Sequence, residues 1–95
     1  MITPGIELRT AAQQLQRSGI KTGDRRLRRH LLEIGAIRKT PYGYEVTGPW
    51  RGTGLLVTQS RRTEIRTETG ARIPRHYTVV LVTGDGCSWL RETLQ

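Results

Sequence analysis

Apolar residues at helical spacing mark a first short segment near the beginning of the chain. Leu8, Ala12 and Leu15 recur at intervals of four and three residues, which predicts one apolar stripe along a helix. We expect this helix to begin at Thr3-Pro4, because threonine can cap a helix and proline suits its first turn. Gly19 is the expected stop.

A second helix with the same spacing is predicted to follow a short turn at residues 20–23. Gly35 is its expected stop, and a threonine or an aspartate is its expected cap. Two short helices joined by a tight turn are a helix-turn-helix candidate. The apolar positions are Leu27, Leu31 and Ile34, and the candidate caps are Thr22 and Asp24.

Beyond the second helix, the pattern changes to one typical of strands. Residues 36–39 and 44–46 flank a proline-glycine turn, TPYG, which predicts a small hairpin. A glycine-rich loop follows at residues 48–54. Residues 55–67 and 72–82 then predict two long strands around the turn ETGA.

A last short helix is predicted after Thr83, which is its expected cap. The order helix, helix, hairpin, long hairpin, helix predicts an α+β, winged-helix-like fold, with residues 1–95 in a single domain. We expect Trp89, Leu90 and Leu94 on the apolar side of the last helix. The predicted core holds Leu27, Leu31, Ile34, Val79, Leu81 and Trp89, and Leu55, Val57, Val79 and Leu81 are expected to anchor the long hairpin.

Charge adds a candidate function to this fold. The 95 residues carry a formal net charge of +8, and 14 of the 16 basic side chains are arginine. Because the arginine fork matches phosphate oxygens and base edges, this bias favours a nucleic acid or an acidic protein as partner. Residues 1–40 hold nine basic and three acidic side chains, so most of the excess lies in the helical part.

The second predicted helix concentrates this charge on one face. A helical wheel places the leucines on one arc and Arg25, Arg26, Arg29 and His30 on the opposite arc, where only Glu33 offsets the cations. Arg28 lies near the boundary between the two arcs. A solvated face usually mixes charges of both signs, so this unrelieved repulsion favours an anionic partner over a plain surface. The candidate DNA-contacting residues here are Arg25, Arg26, Arg28, Arg29 and His30.

The long predicted hairpin repeats the cationic theme. Residues 60–66 are nearly all polar, which predicts that the tip projects beyond the core as a wing does. Such an arm can lie along a phosphate backbone or enter a minor groove. The alternative is an edge hairpin whose charges prevent pairing between sheets. Its candidate DNA-contacting residues are Arg61, Arg62, Arg66, Arg72 and Arg75.

Catalytic and metal chemistry find little support in the sequence. His30 and His76 lie among arginines with no carboxylate to orient them. Cys87 stands near a helix start, where its thiol pKa could be lowered, but no base is nominated beside it. As the single cysteine it can form neither an internal disulfide nor a cysteine-based zinc site. We expect no enzyme activity, no metal and no cofactor.

Aromatic residues and targeting signals narrow the expected partners further. The tyrosines and tryptophans are scattered along the chain, which disfavours a stacking platform for single strands. The first residues lack the pattern of a signal peptide, and the longest apolar run, VVLV, is far too short to span a bilayer. We therefore expect a cytoplasmic protein with no membrane partner.

The order of these features resembles the KilA-C domain of phage antirepressor proteins. The resemblance spans roughly residues 8–95 and implies a winged-helix-like regulator, encoded by a phage or prophage, that acts in the bacterial cytoplasm. Family members usually carry this domain behind a separate N-terminal DNA-binding domain, so a piece of a longer antirepressor and a freestanding protein both fit. The matching features are the helix Leu27-x-x-x-Leu31-x-x-x-Gly35-x-Ile37, the hairpin with Pro41 and Tyr44, the glycine loop, the polar strand pair and the ending VTGDGCSWL.

The sequence thus predicts a non-enzymatic regulator that binds double-stranded DNA. The alternative is a small phage protein that docks its basic surface on a host or phage regulatory protein and inhibits or redirects it. The exposed polar strands could also pair across a two-fold axis and form a homodimer.

Overall fold

The computed structural model describes residues 5–94 and has an α+β fold, with four helices and a mixed five-stranded sheet in that range. None of the helices in this part of the chain has the length and apolarity needed to cross a membrane. In chain order the elements are β1 (Ile6–Glu7), α1 (Leu8–Arg17), α2 (Asp24–Glu33), β2 (Ile37–Thr40), β3 (Gly43–Val46), α3 (Gly48–Arg51), β4 (Leu56–Arg66), β5 (Arg72–Val82) and α4 (Gly84–Thr93).

The sheet is organised around β5. On one edge, β4 pairs with it antiparallel along the whole strand, from Leu56 opposite Val82 to the turn. On the other edge, β1 pairs antiparallel near the end of β5, and β3 lies parallel to it with Gly43 opposite Thr78. β2 joins the sheet through β3. Elements from both halves of the chain therefore meet on one strand.

The close approach of β3 to β5 requires a glycine. Gly43 has a φ of +133°, and a Cβ built on it would lie 2.3 Å from the carbonyl oxygen of Thr78. The backbone N–H of Thr78 donates to the carbonyl of Tyr42 over 2.9 Å, which fastens the turn between β2 and β3 to β5. A side chain at position 43 would force the two strands apart.

The hydrophobic core lies where the helices meet the base of the sheet. α1 and α2 contribute their predicted leucine stripes, and α4 adds Leu90. Each fully buried leucine contributes about 1.5–3 kcal/mol relative to an exposed one, so this cluster is the main source of stability. Its members include Leu8, Ala11, Ala12, Leu15, Leu27, Leu31, Ile37, Val46, Leu56, Val80, Val82 and Leu90.

The predicted helices and hairpins are present, but the start of α1 was predicted wrongly. α1 begins at Leu8, because Ile6 and Glu7 are extended and pair with the end of β5. The predicted start at Thr3-Pro4 lies outside the described residues. Gly19 and Gly35 follow the ends of α1 and α2 with φ of +88° and +77°, a conformation that glycine adopts without strain.

The caps and the glycine-rich loop also differ in part from the predictions. Gly23 is the N-cap of α2 and forms no side-chain cap, so neither Thr22 nor Asp24 has the predicted role. Asp24 instead stands in the first helical turn, where its charge suits the helix dipole. The predicted loop contains the short helix α3. The cap of α4 is confirmed, since the Gly86 N–H donates to Thr83 Oγ1 over 3.0 Å.

Leu27, Leu31 and Leu81 are buried as predicted. Val79 and Trp89 are half-buried, and the Trp89 ring packs against Trp50 with centroids 5.1 Å apart. Ile34 was predicted wrongly as core: α2 ends at Glu33, so Ile34 leaves the apolar stripe and stays 39% exposed.

At the base of the long hairpin, the buried side chains are mostly the neighbours of those that were predicted to be buried. Leu56, Val80 and Val82 belong to the core, whereas Leu55 and Val57 are only half-buried. The runs LLV and VVLV are apolar at every position, so the alternation that normally selects the buried face of a strand is missing there.

The distal part of the long hairpin, β4 and β5, projects from the core as predicted. Every residue in the segments 62–66 and 72–76 is exposed. Two strands of 11 residues span roughly 35 Å, which accounts for much of the 51 Å length of the molecule. The cations of this segment are therefore carried away from the body on a two-stranded arm.

Leu31→Ala should lower the free energy of unfolding by about 2–5 kcal/mol, because Leu31 is fully buried in the core. Leu32 is the matched control: it is 38% exposed, and Leu32→Ala should cost less than about 1 kcal/mol. Urea unfolding of the two variants measures both values. Equal midpoints for Leu31→Ala and the parent would contradict the orientation of α2.

Candidate nucleic-acid interface

Three arginines form the exposed side of α2, and we call them the arginine face: Arg25, Arg26 and Arg29. Among residues 5–94, no ion pair involves any of them. Arg25 and Arg29 stand one helical turn apart, a spacing at which like charges repel by about 0.2–0.5 kcal/mol. The structure thus brings together three of the five cationic candidates that the sequence nominated on this helix.

Lys21 joins this surface, although the sequence analysis did not nominate it. An open groove of about 540 Å³ lies at the turn between α1 and α2, and Lys21, Arg25 and Arg26 all line it. Asp24 also lines the groove and supplies one negative charge. No sequence signal identifies Lys21, because a single lysine in a turn becomes part of a basic surface only when the fold places it beside α2.

Arg28 and His30 are both half-buried, unlike the arginine face. The guanidinium carbon of Arg28 lies 5.1 Å from the centroid of the Tyr44 ring, a cation–π contact between α2 and β3. His30 borders a cavity with Leu27 and Leu94. In the described part of the chain, Arg28 Nε and His30 Nε2 are buried and have no hydrogen-bond partner. Both side chains therefore pack partly against the body of the protein.

The long hairpin places two arginines directly opposite one another. Arg66 faces Arg72 across the strands. Arg62 faces His76 on the same side of the ribbon, four residues further toward the base. Like charges directly opposite in a sheet destabilise it. Glu64 relieves part of this repulsion through an ion pair with Arg72 at 3.8 Å, but both partners are exposed, so the contribution is small.

Arg61 differs from the other candidate arginines of the hairpin. It is half-buried and donates to Glu7 Oε1 over 2.5 Å, which ties β4 to the residue before α1. This hydrogen bond with Glu7 raises the pKa of the Arg61 guanidinium. Because Glu7 already compensates its charge, Arg61 is a poorer phosphate ligand than Arg62, which is exposed.

The other side of the distal ribbon carries an apolar rung. Ile65 stands opposite Ile73, and these side chains are 39% and 53% exposed. Thr63 and Arg75 form the next rung on the same side. A β-branched pair helps to hold the register of a hairpin, which gives the rung a structural role.

The environment of Cys87 does not favour a reactive thiol. Cys87 is half-buried and packs against the core. Burial raises the pKa of its thiol, and the nearby charge of Arg91 opposes this shift only in part. A position near a helix start can lower a thiol pKa, but burial outweighs that effect at Cys87. In the range 5–94, no three His, Cys, Asp or Glu side chains are grouped closely enough to hold a metal ion.

No protein-family model, no curated protein and no solved structure matches this chain. The resemblance to the KilA-C domain stays a prediction. Fold class, charge and surface geometry are what a functional proposal has to rest on.

Cys87 should react with iodoacetamide more slowly in the folded protein than in urea-unfolded chain at the same pH, because burial favours the neutral thiol. Since the folded state holds this proton more tightly, its stability should fall as the pH rises above the ordinary thiol value of 9.0. Mass spectrometry of timed samples measures the alkylation rates. Equal rates in the two states would contradict the assigned environment.

Proposed function

We propose that this chain is a non-enzymatic, DNA-binding regulator of winged-helix-like design, in which α2 faces double-stranded DNA and the long hairpin acts as the wing. The observation that carries this proposal is the arginine face. It presents three exposed cations on one side of a helix, and no described acidic side chain pairs with them.

Electrostatics supports an anionic partner for both surfaces. Repulsion along α2 and across the hairpin rungs is a cost that the free protein bears, and phosphate groups would remove it. Arginine pairs with phosphate through two parallel hydrogen bonds, which suits the 14 arginines of this chain better than a partner recognised by point charges alone.

The shapes of the two elements suit a duplex. An α-helix fits the major groove, which is about 12 Å wide, and a projecting hairpin can follow the flanking phosphates. Together the arginine face and the hairpin would neutralise ~4–6 phosphates, which gives binding that depends strongly on salt. The resemblance to the KilA-C domain supports an antirepressor-like role in the cytoplasm of a bacterial host.

A second candidate is a phage protein that inhibits or redirects a host or phage regulatory protein. The apolar rung of Ile65 and Ile73 favours this candidate, because exposed apolar side chains beside arginines are common in protein interfaces. A second copy of the chain could also cover this rung and form a homodimer.

The combined variant Arg25→Ala, Arg26→Ala, Arg29→Ala tests the DNA-binding proposal. Each lost phosphate contact should reduce the slope of log affinity against log salt by about 0.9, because fewer counterions are released. Fluorescence anisotropy with a labelled duplex at several salt concentrations measures this slope. Arg38→Ala is the matched control: Arg38 is exposed and paired with Glu45, so its loss should leave the slope nearly unchanged.

Equal binding of duplex DNA by the triple variant and the parent at low salt would refute the role of the arginine face. Absence of duplex binding by the parent at about 50 mM salt would refute DNA binding as a whole and favour the protein partner.

Arg66→Ala and Arg72→Ala in the long hairpin should each weaken duplex binding and reduce the salt slope, since these side chains are exposed on the arm. The melting temperature should stay equal or rise for Arg66→Ala, because the repulsion across that rung is relieved. Arg61→Ala should change the slope less, since Glu7 already neutralises Arg61. A larger slope change for Arg61→Ala than for Arg66→Ala would contradict the wing assignment.

A further inference from the structure

We propose that a groove between the β2–β3 turn and β5 binds an unpaired base of single-stranded nucleic acid. This site lies outside the arginine face and goes beyond the binding of duplex DNA. We call it the aromatic groove. It encloses about 560 Å³ and is lined by Pro41, Tyr42, Pro74, Arg75, His76 and Tyr77.

The groove exists because one edge of β5 is left open. The N–H of Thr83, at the end of β5, donates to the Leu55 carbonyl on the β4 side, whereas the N–H of Thr78 donates to Tyr42 on the other side. Because backbone groups point to alternate edges along a strand, the even-numbered residues of β5 face away from β4. In the described residues, no strand pairs with this edge before Thr78.

Two even-numbered residues, Pro74 and His76, therefore present their backbones to the groove. Pro74 has no N–H, so this position costs the sheet no hydrogen bond. The His76 N–H and carbonyl form one donor and acceptor pair on the open edge, the combination that the edge of a nucleobase requires. The groove thus offers a backbone donor and acceptor beside its proline and tyrosine walls.

Tyr42 supplies the most exposed wall. Its side chain is 66% exposed, although the hydrogen bond from Thr78 and the close packing of Gly43 fix its backbone against β5. An exposed ring on a fixed backbone is suited to stack on a base, because little backbone freedom is lost on binding. Tyr77 and His76 also line the groove.

The charge of the groove favours a nucleotide over other flat ligands. Arg75 lines it, and no acidic side chain is among the lining residues. A phosphate attached to the stacked base would lie near this cation. An aromatic wall beside a basic side chain is the arrangement with which proteins bind single strands without sequence preference.

Strand addition by a peptide fits the groove less well. A peptide that extended the sheet along this edge would need an N–H from each even-numbered residue, and Pro74 cannot provide one. Proline on an open edge is a feature that blocks such pairing.

From the sequence alone, no stacking platform is expected, because the aromatic residues are scattered along the chain. Tyr42 and Tyr77 are far apart in sequence, and only the contact of the β2–β3 turn with β5 brings them to one groove. The proposal revises that expectation for this site.

Tyr42→Ala and Tyr42→Phe in the full chain test the proposal. Binding of a labelled oligothymidylate of about 12 nucleotides is measured by fluorescence anisotropy. Tyr42→Ala should weaken binding by about 5- to 100-fold, the loss typical of one base–aromatic stack, with the salt slope unchanged. Tyr42→Phe should bind as the parent does, because stacking needs the ring and not the hydroxyl.

Abasic oligonucleotides separate base stacking from phosphate attraction. The same strand with several bases removed keeps its phosphates, so the parent should bind it more weakly, while Tyr42→Ala should bind both strands alike. Circular dichroism checks that each variant is folded. Equal binding of intact and abasic strands by the parent, or equal affinity of Tyr42→Ala and the parent, overturns the proposal.

Two further measurements distinguish base binding in the aromatic groove from duplex binding by the arginine face and from peptide binding in the groove. Tyr42→Ala should leave the affinity for a fully paired duplex unchanged. The variant of the arginine face should lose duplex binding, so the proposed function is tested separately from the aromatic groove. If the parent binds single strands but no duplex, the proposed function fails and the aromatic groove stands. Displacement of the oligonucleotide by a proline-rich peptide, with Tyr42→Ala abolishing peptide binding, would assign the groove to a peptide and overturn the proposal.

Discussion

The antiparallel pairing of β4 with β5 holds the two ends of this fold in different environments. At the base, Leu56, Val80 and Val82 are buried against the helices, and toward the tip the same strands are exposed and cationic. β1 and β3 both attach to the edge of β5 that β4 leaves free. A slip of one residue in this pairing would expose the buried valines, detach the short strands and turn the arginines of the arm to the wrong side.

Repulsion between positive charges opposes the stability that the hydrophobic core provides in this small molecule. A formal net charge of +8 on 95 residues opposes compaction, and the core that offsets it consists of aliphatic side chains from nearly every element. Some cations are accommodated by partners within the fold, as Arg28 is by Tyr44 and Arg61 by Glu7. The arginine face and the arm hold six of the cations that have no such partner in the described residues: Arg25, Arg26, Arg29, Arg62, Arg66 and Arg75.

Local patterns were sufficient to predict α1, α2, α4 and the two hairpins, but they missed β1 and α3, and tertiary contacts decided most of the other differences. Leu27 and Leu31 were predicted correctly as core because leucine spacing on a helix has one interpretation. The buried face of β4 was not predicted correctly, because the residues on both faces of this strand are apolar at the base of the hairpin. Arg28 lies near the boundary of its helical wheel, and its burial depends on Tyr44, a partner in a distant strand. The groove beside Tyr42 likewise depends on a contact between residues far apart in the chain.

The proline on the open edge of β5 also has a consequence for solubility. A projecting two-stranded arm with one free edge is the kind of surface on which a second molecule can continue the sheet, and repeated pairing of this kind leads to insoluble fibres. Pro74 interrupts the row of backbone donors at the middle of that edge, and neighbouring arginines repel an identical arm. The long arm can therefore remain extended in a crowded cell without joining molecules to one another.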